Sequence, residues 1–326
     1  MNVVVFGGSG FIGSHVADAL SAAGYAVTLF DLNPSPYARD GQRMVTGDIL
    51  DSSSITEVLQ GQDVAYNFAG LTDLDEAQGM PVETARSNVL GNAILLEQAH
   101  RARLKRYVFA STIYVSGHAG GFYRASKQAC ELYVEEYQRW FGLDFTILRY
   151  GSIYGRRTDE SNAVHSFLTQ ALRKRRIIVN GTGNELREYV HVEDIARASV
   201  QILEPNFRNE RVVLTGHQPM RVRDLMEMIR EMLGQDIQVE YRSVDPEQQQ
   251  AGRTPHYTVT PYSFRPTTAK KLVSDYYVDL GQGLLDCLQE LHETLQRQAE
   301  TDTKKLPSRN RRQVAGTRRQ RAIHVP

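Results

Sequence analysis

The chain has 326 residues, enough for a large core or two unequal lobes, and its 41% hydrophobic and 23% charged residues are the balance of an ordinary soluble globular protein. Formal net charge is zero, yet residues 301–326 carry eight Lys or Arg against one acid, so the body before them is net acidic, which argues against a nucleic-acid-binding face there. Two cysteines, Cys130 and Cys287, with no metal-ligand spacing around either, exclude a disulfide framework and suit a reducing compartment; with no signal-like start and no apolar run long enough to span a bilayer, a cytoplasmic protein is expected.

Residues 3–6 form a continuous apolar run, as expected of a strand buried on both faces of a parallel sheet. The run meets Gly7-Gly8-Ser9-Gly10-Phe11-Ile12-Gly13, and a helical pattern then carries Val16, Ala19 and Leu20. Glycines suit a tight turn whose backbone approaches a pyrophosphate, with a helix N-terminus supplying N–H groups and positive dipole to the anion. A second strand, 26–30, ends at Asp31, 18 residues after Gly13. At that spacing a carboxylate can accept hydrogen bonds from a ribose diol and would repel a 2′-phosphate, so NAD is expected rather than NADP.

Strand and helix keep alternating: strand 44–46, helix 52–59, strand 64–68, helix 82–101, strand 106–110, helix 123–141 and strand 145–149. Alternation of this kind predicts a right-handed, doubly wound parallel sheet in an α/β fold, with ligands at the carboxyl ends of the strands. The residues to read are then Gly7 to Gly13, Asp31, Asp48, Ala69 to Thr72, Ser111 and Thr112. Tyr123 and Lys127, four apart, share one helix face. A phenol is a poor base at neutral pH unless a cation stabilises its phenolate, which Lys127 is placed to do, although such a pair alone is more often a core residue and a solvated charge.

Beyond residue 149 the pattern loosens. Helices are predicted at 163–174, 191–203, 222–233 and 281–296, with a strand at 212–214 returning to the sheet. These define a dinucleotide-binding domain at 1–152, rejoined by 190–216, and a smaller α+β substrate domain from 153–189 and 217–298. Residues 299–326 are expected to be a disordered, solvated basic tail.

The ordered series resembles the extended short-chain dehydrogenase/reductases, more narrowly their NAD-dependent sugar epimerase/dehydratase branch, over about residues 1–233 and faintly to 288. It comprises Gly7, Gly10 and Gly13; Asp31; Asp48-Ile49; Asn67-Phe68-Ala69-Gly70-Leu71; Asn88-Val89-Leu90-Gly91; Ser111-Thr112; Tyr123 and Lys127; Leu148-Arg149-Tyr150 on to Tyr154-Gly155; and Gly181-x-Gly183 running through Arg187 and Tyr189-Val190-His191-Val192 to Asp194. The resemblance implies a Rossmann domain holding NAD through Gly7, Gly10, Phe11, Ile12, Gly13, Asp31, Asp48, Ile49, Ala69, Gly70, Asn88, Tyr123 and Lys127. It implies Tyr123 as the acid/base, Lys127 lowering its pKa, and Thr112 on the same substrate oxygen. Arg187 falls where the family binds the substrate diphosphate, with Arg253 a looser second candidate and Thr72 and Ser152 at sugar-contact positions.

The departures narrow the reaction. Sugar 4,6-dehydratases of the branch follow their Thr with Asp-Glu, and related decarboxylases keep the Glu; here Ile113 and Tyr114 stand there, which disfavours both reactions. What survives is a nucleotide-sugar epimerase, in particular a 4-epimerase, working through a keto sugar and one bound NAD. A dehydrogenase or reductase with net hydride transfer is the alternative, and an NAD-binding scaffold a third reading. Only His118 to Phe122 separate Gly117 from Tyr123, where relatives carry a longer loop, so the site should be open on that side or closed by another segment such as 156–163. The family also implies a homodimer through helices 82–101 and 123–141.

Overall fold

A computed structural model of the chain describes residues 1–242 and 269–305. Its centre is an eight-stranded, all-parallel sheet in the order β14-β11-β6-β5-β4-β1-β2-β3. The strands are β1 (Asn2–Phe6), β2 (Ala26–Asp31), β3 (Arg43–Thr46), β4 (Val64–Asn67), β5 (Arg106–Thr112), β6 (Phe145–Tyr150), β11 (Glu210–Leu214) and β14 (Lys270–Lys271). The order reverses between β1 and β4, and that switch point opens a crevice at the carboxyl ends. The 210–214 strand returns to the sheet beside β6, as its apolar run predicted.

Successive side chains of a strand face opposite sides, and each side of this sheet has its own core. Val3 and Val5 pack with Val16 and Leu20 of α1 (Phe11–Ala22) and with Ile195 and Ile202 of α8 (Val192–Gln201) and its end. Val4 and Phe6 face the other way, toward Ile55 of α2 (Ser52–Val58), Leu95 of α5 (Gly91–Arg101) and Val134 of α6 (Gly121–Phe141).

The helix expected over 82–101 is built in pieces. A short α3 (Leu74–Gly79) precedes α4 (Pro81–Thr84), which runs through a π-helical turn, Ala85–Leu90, into α5. The wider turn carries Asn88, which it buries.

A third core, with Leu168, Ile177, Leu225, Ile229 and Leu284, belongs to a second lobe. Here the sequence pattern misses the strands: β7 (Ser152–Tyr154) pairs with β10 (Tyr189–His191), β8 (Arg176–Asn180) with β13 (Gln238–Arg242), and β9 (Leu186–Arg187) with β12 (Met220–Arg221). They are five residues at most, and three of them directly flank α7 (Ala163–Lys174), α8 or α9 (Val222–Leu233). The last helix, α10, spans Leu280–Lys305, so it continues into the stretch expected to be a disordered tail; 306–326 lie outside the described residues. Among the described residues no helix is long and apolar enough to cross a membrane.

Candidate active site

The glycine turn leaves β1 at Gly7, which has φ of +77°; a Cβ there would come within 2.7 Å of the Phe68 and Ala69 backbone. A Cβ on Gly13 would lie 2.2 Å from Gly7 O, so this glycine lets α1 pack onto the turn. Gly10 differs. Its Cβ would meet only Gly7 O, at 3.3 Å, so what glycine preserves there is space in the crevice. Gly10 is also the N-cap of α1 and offers no side-chain cap, which leaves the helix's first N–H groups for an anion.

Asp31, at the carboxyl end of β2, accepts from Ser9 N at 3.0 Å and so stays beside the turn. Asp48 accepts from Leu50 N at 2.9 Å, and Ile49 packs where a side chain on Gly91 would stand. Asn88 does not line the crevice. Its amide accepts from Leu71 N at 2.7 Å and donates to Leu71 O and Ser126 Oγ, each at 3.0 Å, so it holds the Gly70–Leu71 backbone in place rather than facing a ligand.

Thr112 ends β5, and its Oγ1 accepts from Tyr114 N at 3.3 Å, capping the 3₁₀ turn Ile113–Ser116. Tyr123 lies in the first turn of α6, half-buried and facing the crevice. One turn on, Lys127 is 3% exposed; its Nζ donates to Ala110 O at 2.9 Å and lies 5.7 Å from the Tyr123 ring centroid. Behind it, Glu131 and Arg149 form a buried two-point ion pair, at 2.6 and 3.0 Å, and Ser111 Oγ donates to Glu131 at 2.5 Å. This pair ties α6 to β5 and β6 and so fixes the helix that carries Tyr123 and Lys127.

The electrostatics depart from the expected lowering of the Tyr123 pKa. The protein mass around the phenol, then the Tyr114 phenol beside it, push Tyr123 well above its ordinary value. Burial lowers Lys127, opposed by Cys130 and Glu131. In the protein alone burial therefore favours the neutral phenol.

Arg187, 8% exposed on β9, reaches the same crevice from the second lobe, its Nη1 donating to Leu186 O at 2.8 Å. Ser152 on β7 and Thr72 at the rim also line it; Arg253 lies outside the described residues. One crevice of about 1010 Å³ thus brings together all the other predicted residues except Asn88. It also includes Tyr114, Asn162, Gln170 and Asn180, which the sequence did not single out as ligands. Asn162 had a readable signal, an Asn just before the apolar rhythm of α7, and it caps that helix by accepting from Val164 N at 3.1 Å.

The short approach to Tyr123 is glycine-built. Gly120 and Gly121 have φ of +100° and +49°, and Cβ atoms there would strike Tyr114 and Arg124 at 3.1–3.2 Å and Gln78 Oε1 at 2.3 Å. It packs down onto Tyr114 and α3, while Glu160, Ser161, Asn162 and Ala163 line the crevice from another direction.

A doubly wound sheet with a glycine turn, and a Tyr-x-x-x-Lys helix packed by the strand that ends in Ser-Thr, define an extended short-chain dehydrogenase/reductase. The chain belongs to the NAD dependent epimerase/dehydratase family, whose model matches residues 3–215. It is 29% identical over 260 residues to a candidate UDP-glucose 4-epimerase of Methanocaldococcus jannaschii, an alignment covering 71% of this chain and 82% of that one. It is 32% identical over 231 residues to a dTDP-glucose 4,6-dehydratase of Streptomyces niveus, covering 62% and 69% respectively. The solved UDP-glucose 4-epimerase of Thermotoga maritima, with UDP-glucose, matches at a TM-score of 0.76 and 24% identity over 90% of this chain and 100% of that chain, a likeness of fold.

Proposed function

We propose that the protein is an NAD-dependent nucleotide-sugar epimerase, in particular a 4-epimerase. The observation that carries this is the Thr112–Tyr123–Lys127 set facing the glycine turn, with Ile113 and Tyr114 where elimination would need carboxylates. The crevice suits NAD: Gly10 keeps the turn clear, α1 has open N–H groups, and Asp31 stands at the end of β2. When bound, NAD supplies a hydride acceptor and donor and, oxidised, a positive charge.

Tyr123 takes the carbinol proton as phenolate and returns it to the ketone of the keto sugar as phenol. Burial favours the phenol, so its ionisation needs positive charge in the crevice, and Lys127 is a fixed source close to it. Thr112 Oγ1 already accepts from Tyr114 N, which leaves its hydrogen to hold the reacting oxygen. Arg187, in the second lobe, binds the diphosphate through its planar guanidinium. Held there, the sugar pivots and presents its other face for re-reduction. Two copies associate through α4–α5 and α6.

Incubation with UDP-, dTDP-, GDP- and CDP-sugars without added nicotinamide tests the reading. A new epimer by NMR from one of them is expected. No epimer from any would overturn it, and a stoichiometric absorbance change at the nicotinamide band would replace it by net oxidation or reduction.

A further inference from the structure

Residues 155–163 lead from β7 into the start of α7. Within them Arg157 has φ of +65°, left-handed backbone that a non-glycine residue keeps only when its surroundings hold it there. Three elements do so. Its backbone N–H donates to both Glu290 carboxylate oxygens on α10, at 3.0 and 3.2 Å. Its Nη2 donates to Asp18 Oδ2 on α1 at 2.8 Å, with the two side chains only 17% and 12% exposed. Its guanidinium carbon lies 4.8 Å from the Tyr37 ring centroid.

These partners flank the glycine turn. Asp18 is on the helix whose first turn lines the crevice, and Tyr37 is on the loop that follows Asp31. That loop is itself tied to the turn, since Ser9 Oγ donates to Asn33 O at 2.8 Å. From Arg157 the segment passes into the crevice, where Glu160, Ser161 and Asn162 line the same space as Gly10, Phe11 and Gly13. It is braced internally: Ser161 N donates to Asp159 at 2.9 Å, and Asn162 Nδ2 donates to Ile153 O at 2.8 Å.

We propose that residues 155–163 are a strap across the dinucleotide site, latched by Arg157 on Asp18, Tyr37 and Glu290, so that cofactor exchange is slow compared with turnover. This rests on the reading of the crevice as an NAD site. It explains how a site whose 118–122 approach is short keeps its dinucleotide through a hydride transfer and its return. Opening the strap means parting a poorly exposed guanidinium–carboxylate pair, and truncating such a pair shows mainly in the rate of dissociation.

Exchange is measured by mixing NAD-loaded protein with excess 1,N6-etheno-NAD and following fluorescence, which requires no sugar. Arg157→Ala and Asp18→Asn should each exchange about tenfold faster or more than wild type, and Tyr37→Leu should accelerate it less. Arg39→Ala removes the other guanidinium on Asp18, an exposed one at 2.8 Å, and should leave the rate within about twofold. Folded Arg157→Ala and Asp18→Asn proteins exchanging at the wild-type rate would overturn the latch, as would equal acceleration by Arg39→Ala. Wild-type protein stripped of its nicotinamide cofactor that then binds no etheno-NAD would instead overturn the cofactor reading itself, and the latch with it. Slow exchange without any epimerised sugar would leave the latch standing and remove only the epimerase.

Discussion

At the scale of single residues the account turns on a phenol that its surroundings keep neutral. Tyr123 is pushed up by burial and by Tyr114, while the nearest fixed ammonium, Lys127, is bonded to Ala110 O and lies 5.7 Å from the ring centroid. Tyr123→Phe should therefore lower kcat by roughly 10²–10⁴-fold, the usual worth of a positioned acid/base, and leave the thermal midpoint and etheno-NAD binding near wild type. Unchanged turnover would remove Tyr123 from the chemistry. Tyr123, Lys127 and Thr112 were legible in the sequence because a helical spacing of four and a strand end fix where such groups point. Asn88 was legible as a motif member, but its amide's bracing of Leu71 shows only in the tertiary structure. The Glu131–Arg149 pair joins residues whose contact depends on sheet order, which no local pattern reports.

Elements show the same division. Parallel strands buried on both faces read as apolar runs, so β1, β2, β4, β5 and β6 were visible almost to their ends. The second lobe's strands are two to five residues long and gain their definition from partners far along the chain, as β8 does from β13. The π-helical turn gave no signal at all. Helix α1 carries its own prediction. His15 packs edge-on against Phe11, its Nδ1 donates to Phe11 O at 2.9 Å, and burial pushes its imidazole down from 6.5 to about 4. Below about pH 6.5 the unfolded chain takes up this proton while the folded one does not until about pH 4. Its stabilising contribution is thus complete above 6.5 and lost as pH falls toward 4, a change of at most about 3 kcal/mol. Urea unfolding at pH 7 and 4.5 should show a smaller loss in His15→Gln than in wild type; equal losses would contradict this.

For the whole molecule, the second lobe brings Arg187 over a crevice made by the sheet, and Arg157 ties that lobe to α1 through Asp18. On the outer face of α6, Leu132 and Trp140 are 62% and 74% exposed, with Tyr133 and Phe141 beside them and Val82 and Leu90 on the neighbouring helical stretch. A second copy packed on this face, as proposed above, would cover these groups, and the two parallel helical stretches, side by side from Asn88 with Ser126 to His100 with Phe141, give it a continuous surface. Light scattering should find a dimer that Leu132→Glu with Trp140→Glu converts to monomer; a monomeric wild type would exclude it.

In the proposed reaction a hydride leaves the sugar and returns to it without leaving the protein. The direct measurement is turnover of the nucleotide sugar that the NMR screen identifies, carrying deuterium on the inverted carbon, in the presence of excess unlabelled NAD and NADH. Full retention of deuterium on that carbon of the epimer, with no label in the free nicotinamide pool, is the predicted result. Loss of deuterium from the epimer into free NADH would contradict it.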